Sequence, residues 1–159
     1  MKYHMRKRKG QIEDWSILES ILQRGKYAII ALCKKDEPYI VTLNYGYDNV
    51  SKVLYLHCAK EGLKSEFVRQ NPNVCATIIE DKGYIQNECG HPYRSVVIRG
   101  RIEIIHEQDE KQKGLNVLIE HLEEEPETVR AYLPEKQKLF EAMNIWKLKI
   151  EEITGKEGR

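Results

Sequence analysis

Residues 53–65 read VLYLHCAKEGLKS, an apolar strand that turns through a glycine into the first turn of a helix. The first amides of a helix lack intrahelical partners and lie at the positive end of the helix dipole. Gly62 permits close approach to the backbone, and Lys64 adds a full positive charge. The segment therefore suggests a phosphate site. Its spacing matches neither a phosphate-binding loop nor a dinucleotide fingerprint, so an ordinary strand-to-helix connection is the alternative.

The composition indicates one domain and no strong electrostatic partner. A chain of 159 residues with 41% apolar content can bury one core but is too short for two ordinary domains. We assign residues 1–10 to a basic flexible arm, 11–155 to a single domain and 156–159 to a tail. Since 26 basic and 25 acidic residues nearly cancel to a formal charge of +1, nucleic-acid binding is not expected.

Neither a membrane segment nor a metal site is expected from the sequence. No apolar run approaches the ~20 residues of a spanning helix, and no apolar segment follows the basic N-terminus as it would in a secretory signal. The cysteines lack a Cys-x-x-Cys pair and the ligand spacing of structural zinc sites. They are Cys33, Cys58, Cys75 and Cys89. We therefore expect a reduced, cytoplasmic protein without a bound metal.

Periodicity predicts a fold that is mainly β with helices. The predicted strands cover residues 26–33, 39–47, 53–59, 73–79, 93–105 and 144–153. The predicted helices cover residues 11–24, 61–70 and 108–123, with a further helical turn or two over 135–142. Short turns join the first three strands into an antiparallel meander, and Gly100 indicates a bulge in the fifth strand. Six mostly antiparallel strands with a few inserted helices predict a small β-barrel.

Four segments occur in a characteristic order along the chain. They are PYIVTLNYGYD (38–48), LYLHCAKEGLK (54–64), NPNVC (71–75) and YRSVVIRG (93–100). In this order they resemble the flavin-binding split β-barrel proteins related to pyridoxamine 5'-phosphate oxidase, and most of all their nitroimidazole-resistance branch. The resemblance covers about residues 5–155.

The resemblance implies a homodimer that binds FMN at the subunit interface. It implies phosphate contacts from Gly62, Lys64 and Ser65. It places the isoalloxazine ring along Thr42, Leu43, Asn44 and Tyr45. It places the ribityl chain or ring beside His57, Cys58 and Ala59. Across the dimer it implies contacts from Tyr93, Arg94, Ser95 and Trp146.

Flavin chemistry needs no separate catalytic constellation, because the cofactor itself carries the electrons and the protein supplies binding and hydrogen bonds. We therefore assign no catalytic residue. The favoured function is an FMN-dependent oxidoreductase that reduces a small electrophile, such as a nitroaromatic compound, a quinone or free flavin, with electrons from NAD(P)H. The alternatives are a non-catalytic flavin or haem binding module on the same barrel, or a deazaflavin-dependent reductase.

The sequence departs from the family pattern at two points, and these bear on which reaction is expected. The helix start reads Gly62-Leu63-Lys64, where many related sequences carry a second lysine. The arginine-rich phosphate clamp of true pyridoxamine phosphate oxidases is also absent from the sequence. Oxidation of pyridoxamine phosphate itself is therefore not expected.

Overall fold

The computed structural model describes residues 8–133 and 143–158. Its helices are α1 (Trp15–Arg24), α2 (Leu63–Gln70), α3 (Gln108–Leu122) and α4 (Pro126–Tyr132). Its strands are β1 (Gln11–Ile12), β2 (Tyr27–Lys34), β3 (Glu37–Asp48), β4 (Val53–Ala59), β5 (Asn73–Asp81), β6 (Tyr93–Ile105) and β7 (Met143–Gly158). Across these ranges, no helix has both the length and the apolar content needed to cross a membrane.

Antiparallel pairing closes six of the described strands into a ring. The order is β7-β4-β3-β2-β5-β6, and β6 pairs back onto β7. The register of β6 on β7 shifts between Arg99 and Gly100, where a Cβ on the glycine would lie 2.0 Å from the carbonyl oxygen of Lys149. This contact requires glycine at position 100. Arg99 pairs with Glu152 but Gly100 pairs with Ile150, so the extra residue at this irregularity is Glu151 of β7, opposite Gly100, and not a residue of β6 as predicted. The prediction of a mainly β split barrel is confirmed, with β1 added to β7 as a seventh strand.

The two ends of the described chain differ from the sequence expectations. Helix α1 begins at Trp15 rather than residue 11, because the Asp14 carboxylate caps it by accepting the Ser16 amide at 2.8 Å. Residues 8–10 form a helical turn, and β7 continues to Gly158 through residues that we had assigned to a tail. The helical turns expected at 135–142 lie outside the described residues.

The barrel interior is apolar and one end is closed by α1. Ile21 and Leu22 of α1 are fully buried against the barrel. The hydroxyl of Tyr45 on β3 donates to the carbonyl oxygen of Leu22 at 2.7 Å, which satisfies a polar group inside the core. Helix α1 is thereby fixed to the strand that leads into the candidate site.

Helix α3 covers one half of the barrel's outer surface. Its Leu118 packs with Val53, Tyr55, Ile105 and Ile145 in a second apolar cluster. This cover explains why the first part of β7 is buried on both faces, whereas its alternating sequence predicted a half-buried strand. The backbone of α3 approaches β3 at Gly46, where a Cβ would lie 2.7 Å from Leu118, so only glycine fits there.

His121 joins α3 to the start of β2 and to β3. Its Nε2 lies 2.6 Å from the carbonyl oxygen of Gly25, and the Tyr47 amide donates to its Nδ1 at 3.4 Å. The Lys26 ammonium in turn donates to the His121 carbonyl oxygen at 2.6 Å. Because Nδ1 accepts a hydrogen bond, the ring is neutral, and burial lowers the pKa of His121 below its ordinary value of 6.5.

We predict that His121→Ala costs about 2 kcal/mol of unfolding free energy at pH 7.5, because the Gly25 carbonyl and Tyr47 amide lose their partner. As the pH falls below 6.5, the unfolded wild-type chain takes up a proton that the folded imidazole resists, so wild-type stability falls. The difference between the two proteins therefore shrinks towards pH 5 in urea titrations. His106→Ala, at an exposed histidine, is the control. A difference that stays constant from pH 7.5 to 5 would contradict this account.

Candidate functional site

The strands β3 and β4 separate part of the way along the barrel. They pair from Tyr45–Asp48 to Val53–Leu56 and no further. Beyond that point residues 37–44 of β3 follow β2, while residues 57–59 of β4 follow β7. The two strands thus diverge into an opening in the barrel wall, which we call the mouth (residues 42–44 and 57–59).

Helix α2 fills the wall behind the mouth. Phe67 and Val68 are buried in the barrel core, and the Phe67 ring lies 5.1 Å from the Tyr39 ring of β3, centroid to centroid. The Lys34 ammonium of β2 pairs with the Glu66 carboxylate at 2.9 Å. These contacts on both β2 and β3 hold the first turn of α2 at the mouth.

The first turn of α2 presents open backbone amides. Gly62 precedes it with φ 131° and ψ 170°, a conformation that is essentially restricted to glycine. A Cβ at Gly62 would meet no atom within 4 Å, so the space in front of the backbone is clear. The Gly62 carbonyl accepts the amides of Ser65 and Glu66, whereas the Leu63 and Lys64 amides find no acceptor among the described residues. Such a helix start suits an anion.

Lys64 supplies positive charge at this helix start. The neighbouring cation Arg69 is held by the Glu61 carboxylate at 2.9 Å, just as Lys34 is held by Glu66. Lys64, by contrast, forms no ion pair within the described ranges, and its side chain is half-buried. Its charge is therefore available to a ligand phosphate.

Strand alternation turns four of the predicted ligand contacts outward at the mouth. The exposed residues are Thr42, Asn44, His57 and Ala59. The Asn44 amide nitrogen donates to the Lys26 carbonyl at 2.9 Å, which fixes the side chain and leaves its oxygen free to accept. Loss of hydration lowers the pKa of His57, so its imidazole is neutral at pH 7. The mouth therefore combines hydroxyl, amide and imidazole groups.

Three of the predicted contact residues have side chains that lie inside the barrel. Tyr45 and Trp146 are fully buried, and Cys58 is 6% exposed. Burial raises the pKa of the Cys58 thiol to about 11, so it is a neutral core group. Each alternates with an outward or α3-covered neighbour, which turns its own side chain inward. Only the backbone of these residues can reach a ligand at the surface.

The other two predicted residues of this region have side chains that pack beneath the surface of the mouth. Leu43 is half-buried and packs against the core. Ser65 is fully buried, with its hydroxyl donating to the Ala59 carbonyl at 3.4 Å. This hydrogen bond joins α2 to the end of β4, so Ser65 positions the helix at the mouth.

Tyr93, Arg94 and Ser95 lie on a different part of the ring. They form the start of β6, where they pair with Asp81, Glu80 and Ile79 of β5. Strand β2 and strand β5 separate them from β3 in the ring order. Within one chain the structure does not bring these residues to the mouth, so a contact with the same ligand requires a second copy.

On another part of the outer surface, none of the helices within residues 8–133 and 143–158 covers the strands. Large apolar side chains stand exposed there, between 37% and 65%: Tyr27, Ile40, Ile79 and Val97. The registers align a row of small apolar and hydroxyl residues across five strands: Thr42, Ile29, Thr77, Val97 and Thr154. We call this surface the bare face (outward residues of β3, β2, β5 and β6, with Thr154 of β7). It borders the mouth along β3.

The bare face was missed by sequence reasoning, although a signal was present. Residues 28–32 and 74–79 are nearly continuous apolar runs rather than alternating ones. In a barrel, alternate residues point away from the core, so an unbroken apolar run indicates that the outer side is also covered. The signal indicates a covering surface that the described residues of one chain do not supply.

An open cleft of about 730 Å³ lies between α1, α3 and α4, away from the mouth. Its two cations each pair with a carboxylate that also lines the cleft. Lys113 contacts the buried carboxylate of Asp48 at 2.7 Å, and Arg130 pairs with Glu120. The Lys113 ammonium and the turn amides of residues 50 and 51 lower the pKa of Asp48 to about 2, against the effect of its burial. The positive charges of this cleft are therefore already engaged by neighbouring carboxylates.

Comparison with known proteins agrees with this architecture. The family model described as pyridoxamine 5'-phosphate oxidase matches residues 14–157. A curated, uncharacterised protein of Rhizobium meliloti is 30% identical over 86 residues, which are 54% of this chain and 50% of that protein. The chain thus spans about half the length of this curated relative.

Solved structures share the fold over nearly the whole chain. A "putative 5-nitroimidazole antibiotic resistance protein" from Bacteroides thetaiotaomicron is 28% identical, with a TM-score of 0.75 over 93% of this chain and 86% of that one. An FAD-binding protein from Mesorhizobium loti is 22% identical, with a TM-score of 0.67 over 92% of this chain and 96% of that one.

We predict that Gly62→Ala costs about 1–3 kcal/mol of unfolding free energy, although there is room for the methyl group. The cost arises from the backbone angle of 131°, which a side chain resists. Gly90→Ala is the matched control, because a Cβ there meets only ordinary contacts from 3.6 Å. The loss of stability is measured as the decrease in melting temperature of each variant relative to wild type. If the two variants melt together, the described start of α2 is wrong.

Proposed function

Because the chain belongs to the pyridoxamine 5'-phosphate oxidase family, we propose that it binds FMN at the mouth and acts as a flavin-dependent oxidoreductase. The proposal depends mainly on the geometry of the first turn of α2. There a glycine with open space meets two amides and a lysine that have no partner among the described residues, and a terminal phosphate suits such an environment. The FAD-binding neighbour of the same fold supports a flavin ligand.

The residues present fit a flavin monophosphate. Lys64 and the Leu63 and Lys64 amides would hold the phosphate, with Gly62 allowing its close approach. Thr42 and Asn44 on one edge and His57 and Ala59 on the other would bind the ring and the ribityl chain. The free oxygen of Asn44 accepts a hydrogen bond, and the neutral His57 ring can either donate or accept one. The backbone edges of β3 and β4 add further donors and acceptors.

The proposed reaction is reduction of a small electrophile, such as a nitroaromatic compound, a quinone or free flavin, with electrons from NAD(P)H. Bound FMN would supply the hydride chemistry. The protein's own part is to orient the ring between the two strand edges and to exclude water from one side of it. The likeness to a protein named for 5-nitroimidazole resistance, at 28% identity, supports the nitroaromatic class.

We also propose that two copies associate through the bare face. A contiguous exposed apolar surface of this kind marks an interaction site. It adjoins the mouth through Thr42 and Asn44, so a second copy seated there would complete the site from its own β6. This arrangement accounts for the distance of Tyr93, Arg94 and Ser95 from the mouth within one chain.

We predict that the purified protein binds FMN, and that Lys64→Ala weakens binding about tenfold through loss of one charge-assisted contact. The measurement is titration of apoprotein with FMN, followed by flavin fluorescence. Lys9→Ala, which removes an exposed lysine elsewhere, should bind as the wild type does.

The absorbance spectrum separates the alternatives in the same preparation. A flavin spectrum supports the proposal, whereas a Soret band would indicate a haem module and a deazaflavin spectrum a different reductase. Colourless protein that does not bind added FMN would refute the proposed function. Equal affinity of Lys64→Ala and wild type would remove Lys64 from the phosphate site.

We predict that Ile79→Lys dissociates the dimer, because it places a charge in the bare face at a side chain that is 51% exposed in the single chain. Sedimentation at micromolar concentration should show a folded monomer. Val50→Lys, at a side chain that is 87% exposed in the turn after β3, should remain dimeric. A dimer that survives Ile79→Lys unchanged places the interface elsewhere.

A further inference from the structure

The connection between β5 and β6 is an ordered hairpin whose residues 82–89 are all exposed within the described part of the chain. We call residues 82–92 the tip hairpin. The Ile85 amide donates to the Gly90 carbonyl at 2.8 Å and the Lys82 amide donates to the Pro92 carbonyl at 3.1 Å. His91 Nε2 lies 2.7 Å from an Asp81 carboxylate oxygen, and the Tyr84 ring meets the His91 ring edge-on. The hydrogen bonds that order the hairpin thus join its own residues and the strand ends.

The tip hairpin carries apolar side chains that are exposed in the single chain. Tyr84 is 51% and Ile85 40% exposed, and every residue from 82 to 89 is exposed. Asn87 and Cys89 both adopt positive φ angles, which lets the chain turn tightly. An ordered hairpin that presents a tyrosine and an isoleucine to water indicates a contact surface.

The tip hairpin and the mouth lie at the same end of the bare face but at opposite edges. At this end of the bare face, Asn44 of β3 pairs with Tyr27 of β2, and Ile79 of β5 pairs with Ser95 of β6. The hairpin begins three residues beyond Ile79, at Lys82, whereas Asn44 belongs to the mouth. Three strand spacings, about 14 Å, separate β3 from β6. The hairpin of one chain is therefore displaced sideways from its own mouth.

A two-fold axis between two bare faces must lie in the plane of contact. If it runs along the strands, each β6 lies over the partner's β3 at the same end, which brings each tip hairpin to the partner's mouth. If it runs across the strands, the ends are reversed and the hairpins extend into water with Tyr84 and Ile85 uncovered. Burial of these two side chains favours the first arrangement.

We propose that the tip hairpin of one copy covers the mouth of the other, with Tyr84 and Ile85 as its apolar contacts and His91 braced by Asp81. The inference rests on the proposed function, since it assumes both the dimer and the flavin at the mouth. The hairpin then limits which compounds reach the bound ring, so selection of small planar substrates depends on a segment of the partner subunit.

The register of β5 on β6 allows the tip hairpin to be deleted without disturbing the pairing of the two strands. Because Asp81 pairs with Tyr93, residues 82–92 can be replaced by Asn-Gly, a two-residue turn that suits an antiparallel hairpin. The expected result is an FMN-bound dimer in which iodide quenches flavin fluorescence several-fold more strongly than in wild type. A milder variant, Tyr84→Ser with Ile85→Ser, should raise quenching in the same direction. Val50→Ser, at an exposed turn, is its matched control.

Mixed dimers show which subunit provides the cover. One chain lacks the hairpin, and the other keeps it but carries Lys64→Glu, so that FMN binds only to the first. Two different affinity tags allow the mixed dimer to be purified. We expect wild-type quenching, because the hairpin of the Lys64→Glu chain covers the occupied mouth.

The outcomes separate this inference from the proposed function. Strong quenching in the mixed dimer would show that each hairpin covers its own mouth, which overturns the inference. Equal quenching in wild type and both hairpin variants also overturns it, while FMN binding and dimerisation stay established. Failure of the wild-type protein to bind FMN overturns both.

Discussion

The divergence of β3 from β4 is the constraint on which the rest of the structure depends. Past Tyr45 and Leu56 the two strands follow different neighbours, and a barrel wall cannot remain open to water over an apolar core. Helix α2 closes the gap with Phe67 and Val68. Because these side chains fix its position, the glycine, free amides and lysine of its first turn come to lie at the surface between the strands. The stability of the barrel and the geometry of the candidate site thus have one physical origin.

The outer surface of the barrel divides into a covered half and a bare half. Helix α3 packs on the first, with Gly46 allowing close approach and His121 joining three elements. The bare half has the same apolar character, but none of the described helices packs on it, and it adjoins the mouth along β3. A second copy is the covering that we propose for it. Under that proposal a single surface holds the subunits together and completes the ligand site, so binding and association are coupled.

Local sequence patterns were enough to predict six of the described strands, α2 and an irregularity at Gly100, because periodicity and glycine placement act within a few residues. They assigned the extra residue to β6, whereas the register places it in β7. They could not show which strands part, since that depends on non-local pairing. The family resemblance supplied positions but not orientations, so Tyr45, Cys58 and Trp146 were expected at a ligand although their side chains fill the core. Strand β1 has two residues, too few for any period, and the burial of both sides of β7 depends on α3.

The account centres on the phosphate site at the start of α2, and amide NMR tests it most directly. FMN and riboflavin share the ring and ribityl chain but differ by the phosphate. We predict that FMN shifts the amide resonances of Leu63 and Lys64 strongly, that riboflavin leaves them nearly unchanged, and that both ligands shift residues 42–44. Tight FMN binding with no response at Leu63 and Lys64 would contradict the central claim.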